Sequence, residues 1–96
     1  MDGIVFDWDE QKAWSNEQNH NVSFEEAQTA FDDETARDEH DPDHSQDEDR
    51  FILLGMSARL HLLVICYVYR QDDECIRIIS ARKATKQERQ QYRGFV

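Results

Sequence analysis

LHLLVICYVY, residues 60–69, contains one histidine and otherwise only apolar or aromatic side chains. A run this continuous, rich in β-branched and aromatic residues, suits a strand covered on both faces. It predicts the central strand of a sheet, so the rest of the chain must supply its neighbours and covers. The run is far shorter than the roughly 20 residues that cross a bilayer. RFILLGMSA (50–58) and ECIRIISA (74–81) flank it as further strands. Gly55 in the first suggests a bulge. Gln71-Asp72-Asp73 reads as a turn, and short connections favour an antiparallel meander.

Helices are marked by their start signals. IVFDW (4–8) alternates as a short strand, and Asp9 caps a helix through Lys12, Trp14 and Asn16 that stops near His20-Asn21. Asparagine tolerates the left-handed conformation that ends a helix. Ser23 with Glu26 three residues later is a capping box, and Val22 can staple against Ala27. Thr85 with Glu88 is a second box, with Gly94 beyond the end of that helix near Tyr92. Between them, DDETARDEHDPDHSQDED (32–49) holds the only proline and reads as an acidic loop with an edge strand near 35–39. The predicted class is α+β, one domain over 1–96: two N-terminal helices, a mostly antiparallel sheet and one C-terminal helix.

Charge divides the chain. The formal net charge is −10, yet residues 1–49 carry 17 acids against 2 bases and residues 50–96 carry 9 bases against 4 acids. Such a chain can show a cationic face to one partner and an acidic face to another. IRIISARKATKQER (76–89) concentrates Arg77, Arg82, Lys83, Lys86 and Arg89. Cations at a strand's exit can converge on phosphate, or can be ordinary solvated charges with Arg77 paired to an acid. Cys66 and Cys75 lie in apolar runs with no zinc or disulfide spacing, which suits buried free thiols. No secretory leader opens the sequence, so the cytoplasm is the expected compartment.

The histidines divide as well. His20, at a helix end, suits either a general acid–base role or a structural cap. His40 and His44 are four apart, a metal-ligand spacing only on a helix, which Pro42 opposes. His61 interrupts the central run as a bonded or edge residue. No phosphate-binding glycine loop, nucleophile elbow or HExxH pattern is present.

Three stretches together resemble the BrnT family of bacterial type II toxins. FDWDEQKAWSNEQNHNVSFEEA (6–27) follows the family's WD-x-x-K-x-x-x-N-x-x-KHGVSFEEA without a gap. DEDRFILLGMSAR (47–59) matches an acidic-ERF segment with a Gly-x-Ser turn, and IRIISARKATKQERQQY (76–92) matches the family's most recognisable segment. The resemblance implies a RelE-like ribonuclease fold, RNA cleavage without metal or cofactor, and a block of translation. It also implies neutralisation by a BrnA-like antitoxin, through which alone the toxin reaches operator DNA, and no membrane partner. Attack of a 2′-hydroxyl on the neighbouring phosphate needs a base, an acid and cations. His20 matches the family histidine and is the expected proton-transfer group, with Arg50, Arg77, Arg82 and Lys83 as cations. The family's KHG reads Asn19-His20-Asn21 here, so one lysine beside that histidine is missing, and Asp49 replaces the ERF acid. The alternative is a catalytically weak homologue acting as a binding module in an antitoxin complex on operator DNA. A third reading is an acidic metal- or partner-binding protein unrelated to RNA.

Overall fold

A computed structural model describes residues 3–46, 48–70 and 74–92. The sheet has five strands in the order β1-β5-β4-β3-β2: β1 (Val5–Asp7), β2 (Arg37–Asp41), β3 (Arg50–Met56), β4 (Leu62–Arg70) and β5 (Cys75–Lys83). β2, β3, β4 and β5 pair antiparallel in turn, whereas β1 pairs parallel with β5. The sheet is therefore mixed. Two helices and three strands intervene before β5 comes to lie beside β1, and the two run parallel.

Helices α1 (Glu10–His20) and α2 (Phe24–Thr29) begin where their caps predict, with Asp9 accepting from the Lys12 amide and Ser23 from that of Glu26. Asn21 ends α1 at φ 56°, ψ 34°. The box at Ser23 closes from one side only, because the Glu26 carboxylate is used elsewhere, by Ser57 and His61. Thr85 and Glu88 form the full reciprocal box of α3 (Lys86–Arg89), which is shorter than the sequence suggests. Gln71-Asp72-Asp73 and Gly94 lie outside the described residues.

One face of the sheet carries the main core. Val22, Phe24, Ala27, Ala30 and Phe31 pack on Leu53, Leu63, Ile65, Tyr67, Ile76, Ile78 and Ala81. Gly55 serves this face differently from the sequence reading. A Cβ there would lie 3.0 Å from the Ala30 carbonyl oxygen and 3.1 Å from Ala36 Cβ, so the glycine permits close approach rather than a bulge. On the opposite face, a smaller cluster of Leu54, Leu62 and Tyr92, with Met56, Val64 and Ala84, covers only one end. Among the described residues of that face, Val64 and Cys66 are half-buried, whereas Val68, between Arg50 and Arg77, is fully buried.

Asn16 fixes α1 against the sheet. Its Nδ2 donates to Ala81 O at 2.8 Å and Val22 O at 3.0 Å, and its Oδ1 accepts from Ala81 N at 3.0 Å. β1 pairs β5 only from Cys75 to Arg77, so the side-chain amide stands in for the missing strand at Ala81. A buried amide so used satisfies a backbone pair that would otherwise be costly to bury. It also sets the C-terminal end of α1, and with it His20, beside β5.

Candidate active site

The register of β5 is interrupted. Tyr67 pairs with Ile78 and Cys66 with Ser80, leaving Ile79 as an extra residue in β5. Arg77 and Arg82 are five apart, so strict alternation would place them on opposite faces. The bulge reverses the phase. Arg77 lies opposite Val68, and Val68 opposite Arg50; Arg82 lies opposite Val64, and Val64 opposite Leu54. Directly opposed residues share a face, so Arg50, Arg77 and Arg82 all rise from the side opposite the main core. Bulges commonly re-aim side chains beside active sites.

A shallow groove of about 250 Å³ on this face is lined by Arg50, Arg82, Cys66, Ile79 and Ser80, with Asp41 and His44 at its β2 end. Ile79 also lines a second groove of about 500 Å³, which runs along α1 past Trp14, Asn19 and His20. The bulged residue is thus a wall common to both grooves. His20 is exposed, and Asn21 rather than His20 is the helix terminator. His20 is consequently not needed as a cap.

The cations differ in how they are held. Arg82 makes a bidentate pair with Glu88, with both contacts at 2.8 Å. Hydrogen bonding from Arg82 holds the Glu88 carboxyl at a pKa of about 2, against burial, and in turn pushes Arg82 up. Arg77 Nη1 lies 3.4 Å from Asp7 Oδ1, a buried oxygen with no hydrogen bond, so this pair is looser. Arg50 borders Cys66, whose thiol burial pushes up and the guanidinium partly draws down. Lys83 does not join the group. It lies opposite Leu63, a main-core residue, and so belongs to the other face at the strand's end. Of the five residues predicted for the site, Arg50 and Arg82 line one groove, His20 lines the other, and Arg77 lies on the arginine face outside both linings.

Other polar clusters have different uses. Glu26 accepts from Ser57 Oγ and from His61 Nδ1, both at 2.7 Å. Serine, histidine and carboxylate meet here, but the serine donates to the acid instead of to the imidazole and is buried, so it is no nucleophile. Burial pushes the Glu26 carboxyl up, and the Ser57 and His61 bonds more than offset this, leaving it lowered. The cluster ties α2 to the β3–β4 hairpin. His40 and His44 do not share a site. His40 contacts Asp49 at 3.1 Å and meets Phe51 edge-on, whereas His44 contacts Asp41 at 2.8 Å. Among the described residues, no helix is long and apolar enough to cross a membrane.

The family model for "Ribonuclease toxin, BrnT, of type II toxin-antitoxin system" matches residues 8–88. The chain belongs to the BrnT family. It is thereby a ribonuclease toxin of a type II toxin–antitoxin system, a class that works with an antitoxin partner. The crystal structure of the Brucella abortus ribonuclease toxin BrnT superposes with a TM-score of 0.65 at 21% identity, covering 86% of this chain and 99% of that one. No curated protein matches. The matched span takes in α1, the bulge and the Arg82–Glu88 pair.

Proposed function

We propose that this BrnT toxin cleaves RNA, without metal or cofactor, at the two grooves that share Ile79. What supports the reading is the β5 bulge, which sets Arg77 and Arg82 on the face of Arg50 and makes Ile79 a wall shared by the arginine groove and the His20 groove. The 2′-hydroxyl attacks the neighbouring phosphate, the arginines hold the phosphorane's charge, and His20 moves a proton. A BrnA-like antitoxin neutralises the toxin, and operator DNA is reached only through that partner. A RelE-like fold, cleavage that blocks translation, and a cytoplasmic setting belong to the same reading.

A second reading rests on Asn19. It lines the His20 groove where the resembled pattern carries lysine, so one cation is missing beside the histidine. On that reading the chain is a weak ribonuclease that serves mainly within an antitoxin complex. Induced expression with total RNA run on a gel separates the two. Growth arrest and RNA loss in the wild type, reduced about 10²- to 10⁴-fold in cleavage by His20→Ala or Arg50→Ala at equal soluble expression, is the expected result. Normal growth with intact RNA would favour the binding module. Full toxicity in both variants would place the site elsewhere.

A further inference from the structure

The cleavage step needs two proton-transfer groups, and His20 is one. A second imidazole borders the arginine groove, and its surroundings are built rather than incidental. His44 Nδ1 donates to Asp41 Oδ2 at 2.8 Å, with 67% of the imidazole side chain exposed against 13% of the carboxylate. An ionised carboxylate can only accept, so in the neutral imidazole this bond puts the proton on Nδ1 and leaves Nε2 as the acceptor. A carboxylate orients a catalytic histidine in this manner in hydrolytic triads.

The turn that carries His44 is tied to Arg50. Pro42 opens the 3₁₀ turn Pro42–His44, and Asp41 lies directly opposite Arg50 in the sheet. Ser45 Oγ accepts from the Arg50 amide at 2.9 Å and donates to the Asp41 carbonyl. His44, Asp41, Arg50 and Arg82 then line one groove. The charged groups facing the imidazole around it are Asp41, Asp43, Glu48 and Arg50, with Arg82 across the groove. Two are already engaged, Glu48 by Arg70 at 3.3 Å and Arg82 by Glu88.

We propose that His44, oriented by Asp41, is the general base of RNA cleavage in this chain; the inference rests on the arginine groove being the cleavage site. The 2′-hydroxyl gives its proton to His44 Nε2 as its oxygen bonds to phosphorus. The bond from phosphorus to the 5′-oxygen breaks, and that oxygen takes a proton from His20 on the other side of Ile79. The products are a 2′,3′-cyclic phosphate and a 5′-hydroxyl, and the two imidazoles reset by exchange with water.

The test uses the purified full chain and a short RNA whose scissile position is first mapped with wild type. A second RNA carries sulfur in place of the 5′-oxygen at that position, a leaving group that departs without protonation. The expected result is that His44→Ala slows both RNAs by about 10²- to 10⁴-fold while melting as wild type does, whereas His20→Ala slows only the oxygen substrate. Asp41→Asn, which permits either tautomer, is expected to lower kcat by about tenfold or more at unchanged KM and to alter the pH–rate profile. Wild-type cleavage by a folded His44→Ala, or its recovery on the sulfur substrate, would overturn the base role and leave the ribonuclease reading standing. Absence of cleavage by wild type would overturn both.

Discussion

Leu60 is the residue most at odds with its own backbone. It follows a turn closed by the Leu60 amide donating to the Ser57 carbonyl at 2.9 Å, in the β3–β4 hairpin, and it sits at φ 64° with 81% of its surface exposed. That is the left-handed position of a three-residue hairpin loop, which glycine favours. A leucine there carries a Cβ clash of roughly 1–2 kcal/mol, and its exposure returns little by burial. Leu60→Gly removes the clash but adds roughly 0.4–1 kcal/mol of unfolded-state freedom. Net stabilisation of about 0.5–1 kcal/mol is expected, read as a rise of a few degrees in Tm; a fall would mean that the turn is not strained. Residue-level reading had the same reach and the same limit at the site. The types at Arg50, Arg77, Arg82 and His20 were legible from chemistry and from the resembled pattern. Their faces were not, because nothing in Ile78-Ile79-Ser80 signals an extra residue, whereas Gly55 carried a bulge signal and has none. His44 was legible only as half of a doubtful metal pair, since its partner, Asp41, is defined by a turn rather than by helical spacing.

Among the elements, α3 is the one whose stability is tied to the site. Four residues are too few to hold a helix by propensity, so its caps and the Arg82–Glu88 pair hold it in place. Glu88 accepts from the Thr85 amide at 2.8 Å and from both Arg82 nitrogens. Its folded-state pKa of about 2 lies below the ordinary 4.5. A depressed carboxyl contributes stability that is fully present above the unfolded value and is lost as pH falls through the folded one. The pair is partly exposed, 41% for Arg82 and 28% for Glu88, which discounts it to about 1 kcal/mol. Glu88→Gln is therefore expected to melt lower than wild type by that amount at pH 7 and pH 5, with the gap closing between pH 4.5 and 2. A gap unchanged at pH 2 would show that charge is not the cause. Element order was almost wholly legible, from the apolar run at 60–69 and the caps at Asp9, Ser23 and Thr85. The parallel placing of β1 was not. Local pattern specifies a strand but not which distant edge it joins, and here that edge is fixed by Phe6 packing on Phe31 at 5.2 Å and by Asp7 meeting Arg77.

For the whole molecule, the division of charge becomes a question of how an acidic protein engages a polyanion. A net charge of −10 repels RNA at long range, and salt screens that repulsion. The short-range arginine contacts act in the opposite sense, because each phosphate neutralised releases counterions and steepens the salt dependence by about 0.7 in log–log slope for a single strand. Wild-type binding should therefore be shallower in salt than its two groove arginines alone would give. The clean quantity is the difference between variants, in which the long-range background nearly cancels. Asn19→Lys places a cation in the His20 groove, so it should steepen the slope by about 0.7 and strengthen binding of a short RNA whose scissile nucleotide is 2′-deoxy to block cleavage. Lys83→Ala, removing a cation from the opposite face, should leave the slope as it is. Anisotropy titrations of labelled RNA over a range of salt measure both. An unchanged slope in Asn19→Lys would separate position 19 from the phosphate path, and a flattened one in Lys83→Ala would move that path off the bulged face altogether.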